Sequence, residues 1–181
     1  MAKSVENVFI ITFDNNSLAY QAFSRFKNLH AEKLIVGEQM AVVHNDEDAG
    51  LQLKDFLDFT GADKTAKGSI IGLLVGIIGG PLGMLLGWIG GSVIGATGDA
   101  REVRTAVDVF EETLSLITPE TTGLVLIARE QDKPLIDKVI YDEIGGQVAR
   151  LDGEYVRNQI KEARAAEREL QQEARKRWYN K

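Results

Sequence analysis

One stretch of this chain carries no charge at all, and it restricts the possible folds more than any other feature. Between Lys67 and Asp99 there is no Asp, Glu, Lys or Arg. Within it glycine recurs every fourth residue, as Gly68, Gly72, Gly76 and Gly80 and then as Gly83, Gly87, Gly91 and Gly95. Pro81 separates the two runs, directly after Gly79 and Gly80. Proline suits the first turn of a helix and disrupts its interior. The pattern therefore predicts two helices, roughly residues 66–79 and 81–98, joined by a tight turn at Gly79, Gly80 and Pro81. Each carries a glycine stripe, and large apolar residues such as Ile70, Leu74, Leu82 and Leu86 cover the remaining faces.

Such a hairpin must use its stripes. A helical glycine costs about 1 kcal/mol relative to alanine. A large apolar residue returns only about 0.3–0.6 kcal/mol on entering a bilayer. Close backbone contact along the stripes has to supply the balance, so the eight recurring glycines are the expected helix-packing and oligomerisation residues. At about 1.5 Å per residue the arms reach about 21 and 27 Å, against a hydrocarbon core of about 30 Å. That is short for spanning helices and adequate for a re-entrant hairpin. Lys64 and Lys67 before the block, and Arg101 and Arg104 after it, fit two cytoplasmic ends and are candidate membrane-surface contacts. The alternative is a hairpin buried inside a soluble oligomer.

The flanks read as an α+β domain. Residues 8–13 form a buried strand, and residues 14–17 supply N-cap chemistry for a helix with Leu18, Ala22, Phe23, Phe26 and Leu29 at helical spacing. Residues 34–44 are strand-like and residues 45–50 a polar turn. A second hairpin strand follows, with Leu51, Leu53, Asp55 and Leu57 on one face. Beyond the block, Val103, Val107, Phe110, Leu114 and Ile117 mark a helix closed by Pro119. Residues 123–128 are a strand, residues 134–144 a helix stopped by Gly145 and Gly146, and residues 147–151 a last strand. The order β-α-β-β-(insert)-α-β, with a further α-β, predicts a ferredoxin-like sheet-and-helix domain. The expected divisions are residues 1–62 and 100–152 for its two parts, 63–99 for the glycine-zipper hairpin and 153–181 for a long charged C-terminal helix.

Charge is unevenly spread. From Gly153 onward there are eight Lys/Arg against five Glu, net +3, which leaves −9 on residues 1–152 of an overall −6. The acidic body argues against nucleic-acid binding, which needs a basic surface. The basic tail suits an acidic partner or an anionic surface. Arg175, Lys176, Arg177 and Trp178 are further candidate membrane-surface residues. Val156, Ile160, Ala163, Leu170, Ala174 and Trp178 trace a weak 4-3 seam, so the helix is either a docking helix for a further protein or one lying on its own domain. With no cysteine, disulfides and thiolate chemistry are excluded. The first residues lack the shape of a signal peptide, and the expected location is the cytoplasmic face of the cell membrane, with the cytoplasm as alternative.

The polar turn of residues 44–48, the strand ending at residues 59–62, the glycine-rich hairpin centred on Pro81, residues 123–129 and the strand start at residues 145–148 occur in a defined order. In these respects the chain resembles family 1269 of the bacterial domains of unknown function, commonly described as predicted membrane proteins. The resemblance spans about residues 7–152 and omits the charged C-terminal helix. It implies a ferredoxin-like domain with a glycine-zipper insertion, and it brings neither an activity nor catalytic residues.

No reaction announces itself. His44, Asp46 and Asp48 alternate as metal ligands could, but they lack a distal partner and read as a hairpin turn. His30 completes a helix terminus. Residues 61–69 imitate a phosphate loop without its required Gly-Lys-Ser/Thr order. Asp63, Thr65 or Ser69 caps the first arm instead. The sequence thus predicts a non-enzymatic, membrane-associated structural or interaction protein that homo-oligomerises through its hairpins and uses no cofactor. A small-ligand-binding regulatory module, its hairpin buried in a soluble oligomer, is the rival expectation.

Overall fold

A computed structural model of the chain describes residues 5–61, 66–80, 83, 108–132 and 134–179. The first strand, β1 (Asn7–Thr12), sends Val8 and Ile10 to one side and Phe9 and Ile11 to the other, all nearly or wholly buried. Helix α1 (Asn16–Ala31) follows, capped by Asn15, whose side chain accepts from Ser17 N. Then come β2 (Ile35–Asp46) and β3 (Gly50–Asp58) as a hairpin. A single 3-10 turn, Ala66–Gly68, leads into α2 (Ile70–Ile78), and Ser69 caps that helix by accepting from Gly72 N. Helix α3 (Asp108–Leu116) precedes β4 (Thr122–Glu130). Helix α4 starts as Leu135–Lys138, widens into a π turn over Val139–Ile144, and gives way to β5 (Gln147–Asp152) and α5 (Gly153–Tyr179). Gly145, at φ 88°, makes the reversal that ends α4.

The element types follow the expected order, but only the pairing reveals their neighbours. The sheet runs β3-β2-β4-β1-β5 and every pairing is antiparallel. β4 slots between β1 and β2, and β3 lies outside β2 at the edge. Consequently α1 joins two parallel strands across one intervening strand, and α4 does the same from β4 to β5.

Both crossover helices lie on one face. Ala19, Ala22, Phe26 and Leu29 of α1, with Ile136, Val139 and Ile140 of α4, pack on Phe9, Ile11, Met40, Val42, Leu124 and Leu126. The opposite face carries Val8, Ile10, Ala41, Val43, Val125 and Ile127, and it is covered by α2, α3 and the first half of α5. The result is a three-layer α/β/α arrangement, and the central strands are apolar on both sides because both sides are roofed.

Two bulges reset the alternation. Simple alternation puts Leu51, Leu53, Asp55 and Leu57 on one face of β3, and the register corrects this. Val42 pairs with Asp55 and Val43 with Leu53, leaving Lys54 as an extra residue. Leu53 and Phe56 therefore face the α2 side, while Leu57 faces α1. In β2, Gly37 pairs with Ala128 and Gln39 with Ile127, so Glu38 is the extra residue.

Strands on either side of the uncharged block thus share one sheet, with β2 alone between them. The first arm does not stand away from that sheet. Ile71, Leu74, Val75, Ile77 and Ile78 of α2 are all buried against it. Val103, Val107, Pro81 and the second arm, apart from Gly83, lie outside the described residues.

Docking of α2 has a measurable cost when broken. Leu74, 1% exposed, is expected to lose about 2–5 kcal/mol of stability on Leu74→Ala, read by urea unfolding. A change below about 0.5 kcal/mol, as at an unpacked surface site, would mean that α2 does not belong to this core.

Candidate functional site

The described glycines of the uncharged block divide into two kinds. An added Cβ at Gly72 would lie 1.6 Å from Ala66 O, at Gly80 2.6 Å from Gly76 O, and at Gly83 1.7 Å from Ile78 O. These three are required by neighbouring backbone. At Gly80 the same atom would also come within 3.0 Å of Glu167 Oε1, so its bareness makes room for α5. Gly68 and Gly76 differ, since a Cβ there meets nothing within 4 Å among the described residues. Both are exposed, on the side of the arm turned away from the sheet. Gly79 closes α2, donating its N–H to Val75 O. Gly87, Gly91 and Gly95 lie outside the described residues, as do Lys64, Arg101, Arg104 and the side chain of Lys67.

This division predicts opposite responses to the same small change. Gly76→Ala, in an exposed helix interior, should stabilise the protein by about 0.5–1 kcal/mol. Gly72→Ala should destabilise it by about 1–3 kcal/mol, because the 3-10 turn must move. Thermal unfolding of the two variants checks the assignment, and equal shifts would contradict it.

Helix α5 is docked at one end and free at the other. At about 1.5 Å per residue its 27 residues extend about 40 Å. Val156, Gln159, Ile160 and Ala163 are buried and Leu170 is partly so. Residues 171–179 are all exposed, with Trp178 at 87% and Tyr179 at 91%. Ala174 and Trp178 therefore leave the seam that the spacing traced. Arg175, Lys176, Arg177 and Trp178 stand together on this free end.

The docked end is held by charge as well as by apolar contact. Arg157 Nη2 donates to Glu6 Oε1 at 2.6 Å and to Glu38 Oε1 at 3.0 Å, and Arg129 Nη2 donates to Glu6 Oε2 at 3.2 Å. Burial and the neighbouring Glu38 carboxyl push Glu6 above the usual carboxylate range. Burial acts on Glu38 in the same direction, but hydrogen bonds from Glu6 and Arg157 outweigh it and hold Glu38 below that range. Glu6 thus contributes stability at low pH that is lost as pH rises through its folded value. Glu38 contributes stability above the ordinary range that is lost as pH falls through its lowered value. Glu38→Gln should therefore weaken the fold at neutral pH, with the deficit closing on acidification, and Glu6→Gln should cost less at neutral pH. Urea unfolding across pH tests this, and a Glu38→Gln deficit independent of pH would refute it.

A third cluster joins parts of the chain that the sequence keeps apart. His44 and Asp46 come from the end of β2, and Glu120 from the loop before β4; one potential ligand atom from each lies within 4.8 Å of the others. The loop is laced to β2. Glu120 N donates to Asn45 O at 2.6 Å, Asn45 N to Thr121 O at 3.0 Å, and the buried Asn45 Nδ2 to Ile117 O at 2.7 Å. Glu120 adopts φ 63° there. Asp48 is not part of the cluster; its backbone N–H donates to Asp46 Oδ1. Glu120 is thus the distal partner that the His44, Asp46 and Asp48 pattern lacks. Its only local signal in the sequence is the turn after Pro119.

An open cleft of about 400 Å³ beside the start of α1 is lined by hydroxyls and amides, including Thr12, Thr118, Thr121 and Gln147, with Asp14 as its carboxylate. Comparison with known proteins finds no matching family model, no matching curated protein and no matching solved structure.

Proposed function

We propose that this protein is a non-enzymatic structural and interaction protein, which homo-oligomerises through its glycine-faced hairpin at the cytoplasmic face of the cell membrane. One observation carries the reading. Helix α2 turns its large apolar residues into the sheet and leaves Gly76 bare and exposed on the outer side. A helix backbone open in this way admits a second helix at close range, which is how small-residue stripes associate.

The scaffold under this surface is ferredoxin-like in our reading. Support comes from the order β2-β4-β1-β5 and from α1 and α4 sharing one face, a double split β-α-β arrangement. β3, α2 and α3 are then an insertion between its second and third strands.

Membrane contact in this proposal is peripheral. Among the described residues no helix is long and apolar enough to cross a bilayer. The exposed Trp178 and Tyr179 beside Arg175, Lys176 and Arg177 suit the headgroup zone of an anionic surface. Burial of α2 in the sheet favours a second reading, a soluble oligomer whose hairpin is packed wholly in protein, because side chains held by the sheet are not free to enter lipid.

Two measurements on the full chain separate these readings. Gly76→Leu should reduce the mass of the purified assembly while leaving the circular dichroism of the domain unchanged. An unchanged mass would remove the ridge from the interface. Flotation with anionic and neutral vesicles should carry the protein with the anionic ones alone and lose it on Trp178→Ala. No flotation, with the assembly intact, would select the soluble oligomer.

A further inference from the structure

We propose that His44, Asp46 and Glu120 form a binding site for one divalent transition-metal ion, independent of the hairpin and its assembly. The donor set is mixed, one imidazole and two carboxylates, with potential ligand atoms gathered within 4.8 Å. It draws on two segments that meet only because β4 pairs with β2.

Each of the three groups is held by one of its polar atoms and leaves another for an ion. Asp46 Oδ1 accepts from Asp48 N at 3.0 Å and Ala49 N at 2.8 Å. Glu120 Oε1 accepts from Glu47 N at 2.9 Å. His44 Nδ1 meets Thr122 Oγ1 at 3.0 Å. Each carboxylate keeps a second oxygen and the imidazole a second ring nitrogen beyond these bonds, and one potential ligand atom from each residue lies within 4.8 Å of the others. Partners of this outer kind orient metal ligands and set the histidine tautomer. Neither carboxylate is in a salt bridge among the described residues, and Lys54 acts on Asp46 only without direct contact, so a bound cation would place positive charge directly between the two carboxylates.

The chemistry of the set selects the ion. Calcium and magnesium favour all-oxygen shells, whereas an imidazole with carboxylates suits zinc or manganese. Three protein ligands leave room for water in the remaining positions. Bonds of about 2.0–2.2 Å draw ligand atoms closer together than the 4.8 Å limit, and the exposed Glu120 has freedom to close on the ion.

Calorimetric titration of the full chain with zinc chloride, manganese chloride and calcium chloride tests the site. One zinc or manganese ion per chain is expected. His44→Gln and Glu120→Gln should each weaken binding at least about tenfold. His30→Gln, which changes the chain's other histidine, should leave it unaltered. Circular dichroism checks the fold of each variant, and Glu120→Gln decides alone if His44→Gln does not fold. Absence of binding at millimolar metal, binding that survives Glu120→Gln, or a calcium affinity matching that of zinc would each overturn the proposal.

Discussion

A sheet that is apolar on both faces has to be covered on both faces, and most of this structure answers that demand. β1 and β4 send large side chains to either side with almost no alternation of polar residues. Each such side chain is worth about 1.5–3 kcal/mol when taken out of water. The crossover helices α1 and α4 are both on one face, so a second layer has to come from elsewhere. It comes from α2, α3 and α5, none of which links neighbouring members of the paired β-α-β units. The first arm of the uncharged block is drawn onto the domain for this reason.

Buried polar groups on β2 then fix where the added layer sits. The bulge at Glu38 turns Gln39 toward α2, where its Oε1 accepts from Ile70 N at 3.0 Å. Gln39 is 2% exposed, so this bond meets a need of the helix's unpaired first turn without water. The bulge also places Glu38 within reach of Arg157, so one inserted residue ties both α2 and α5 to the sheet. At the far end of β2, Asn45 does similar work for the loop before β4 and so brings Glu120 to His44. The cluster of potential metal ligands is a by-product of satisfying a buried amide.

With both faces roofed, the features left to meet other molecules are those pointing outward. The bare backbone at Gly76 and the free end of α5 are of this kind. In the proposed function these two outward features are the ones that other surfaces would meet.

Much of the architecture was legible in the sequence, because local patterns report local structure. Continuous apolar runs marked β1 and β4, helical spacing marked α1 and α5, and the glycine and proline punctuation marked the ends of α4. Ser69 was among the residues foreseen as the cap of α2. What the sequence left open depended on contacts between distant residues. Period-two alternation cannot reveal a single inserted residue such as Lys54, whose presence appears only against the partner strand. Four-residue spacing made all the glycines of the first arm alike, yet Gly72 and Gly80 answer to nearby carbonyls while Gly76 answers to nothing among the described residues. His44 and Asp46 were visible as a pair; their third member was not, since residues far apart in sequence become neighbours only when strands choose partners. Sequence determined which of the described segments would be helix or strand, because those preferences belong to single residues and their near neighbours. Tertiary structure decided strand order, the docking of α2 and the company of Glu120, because each arises from burying two remote surfaces against one another.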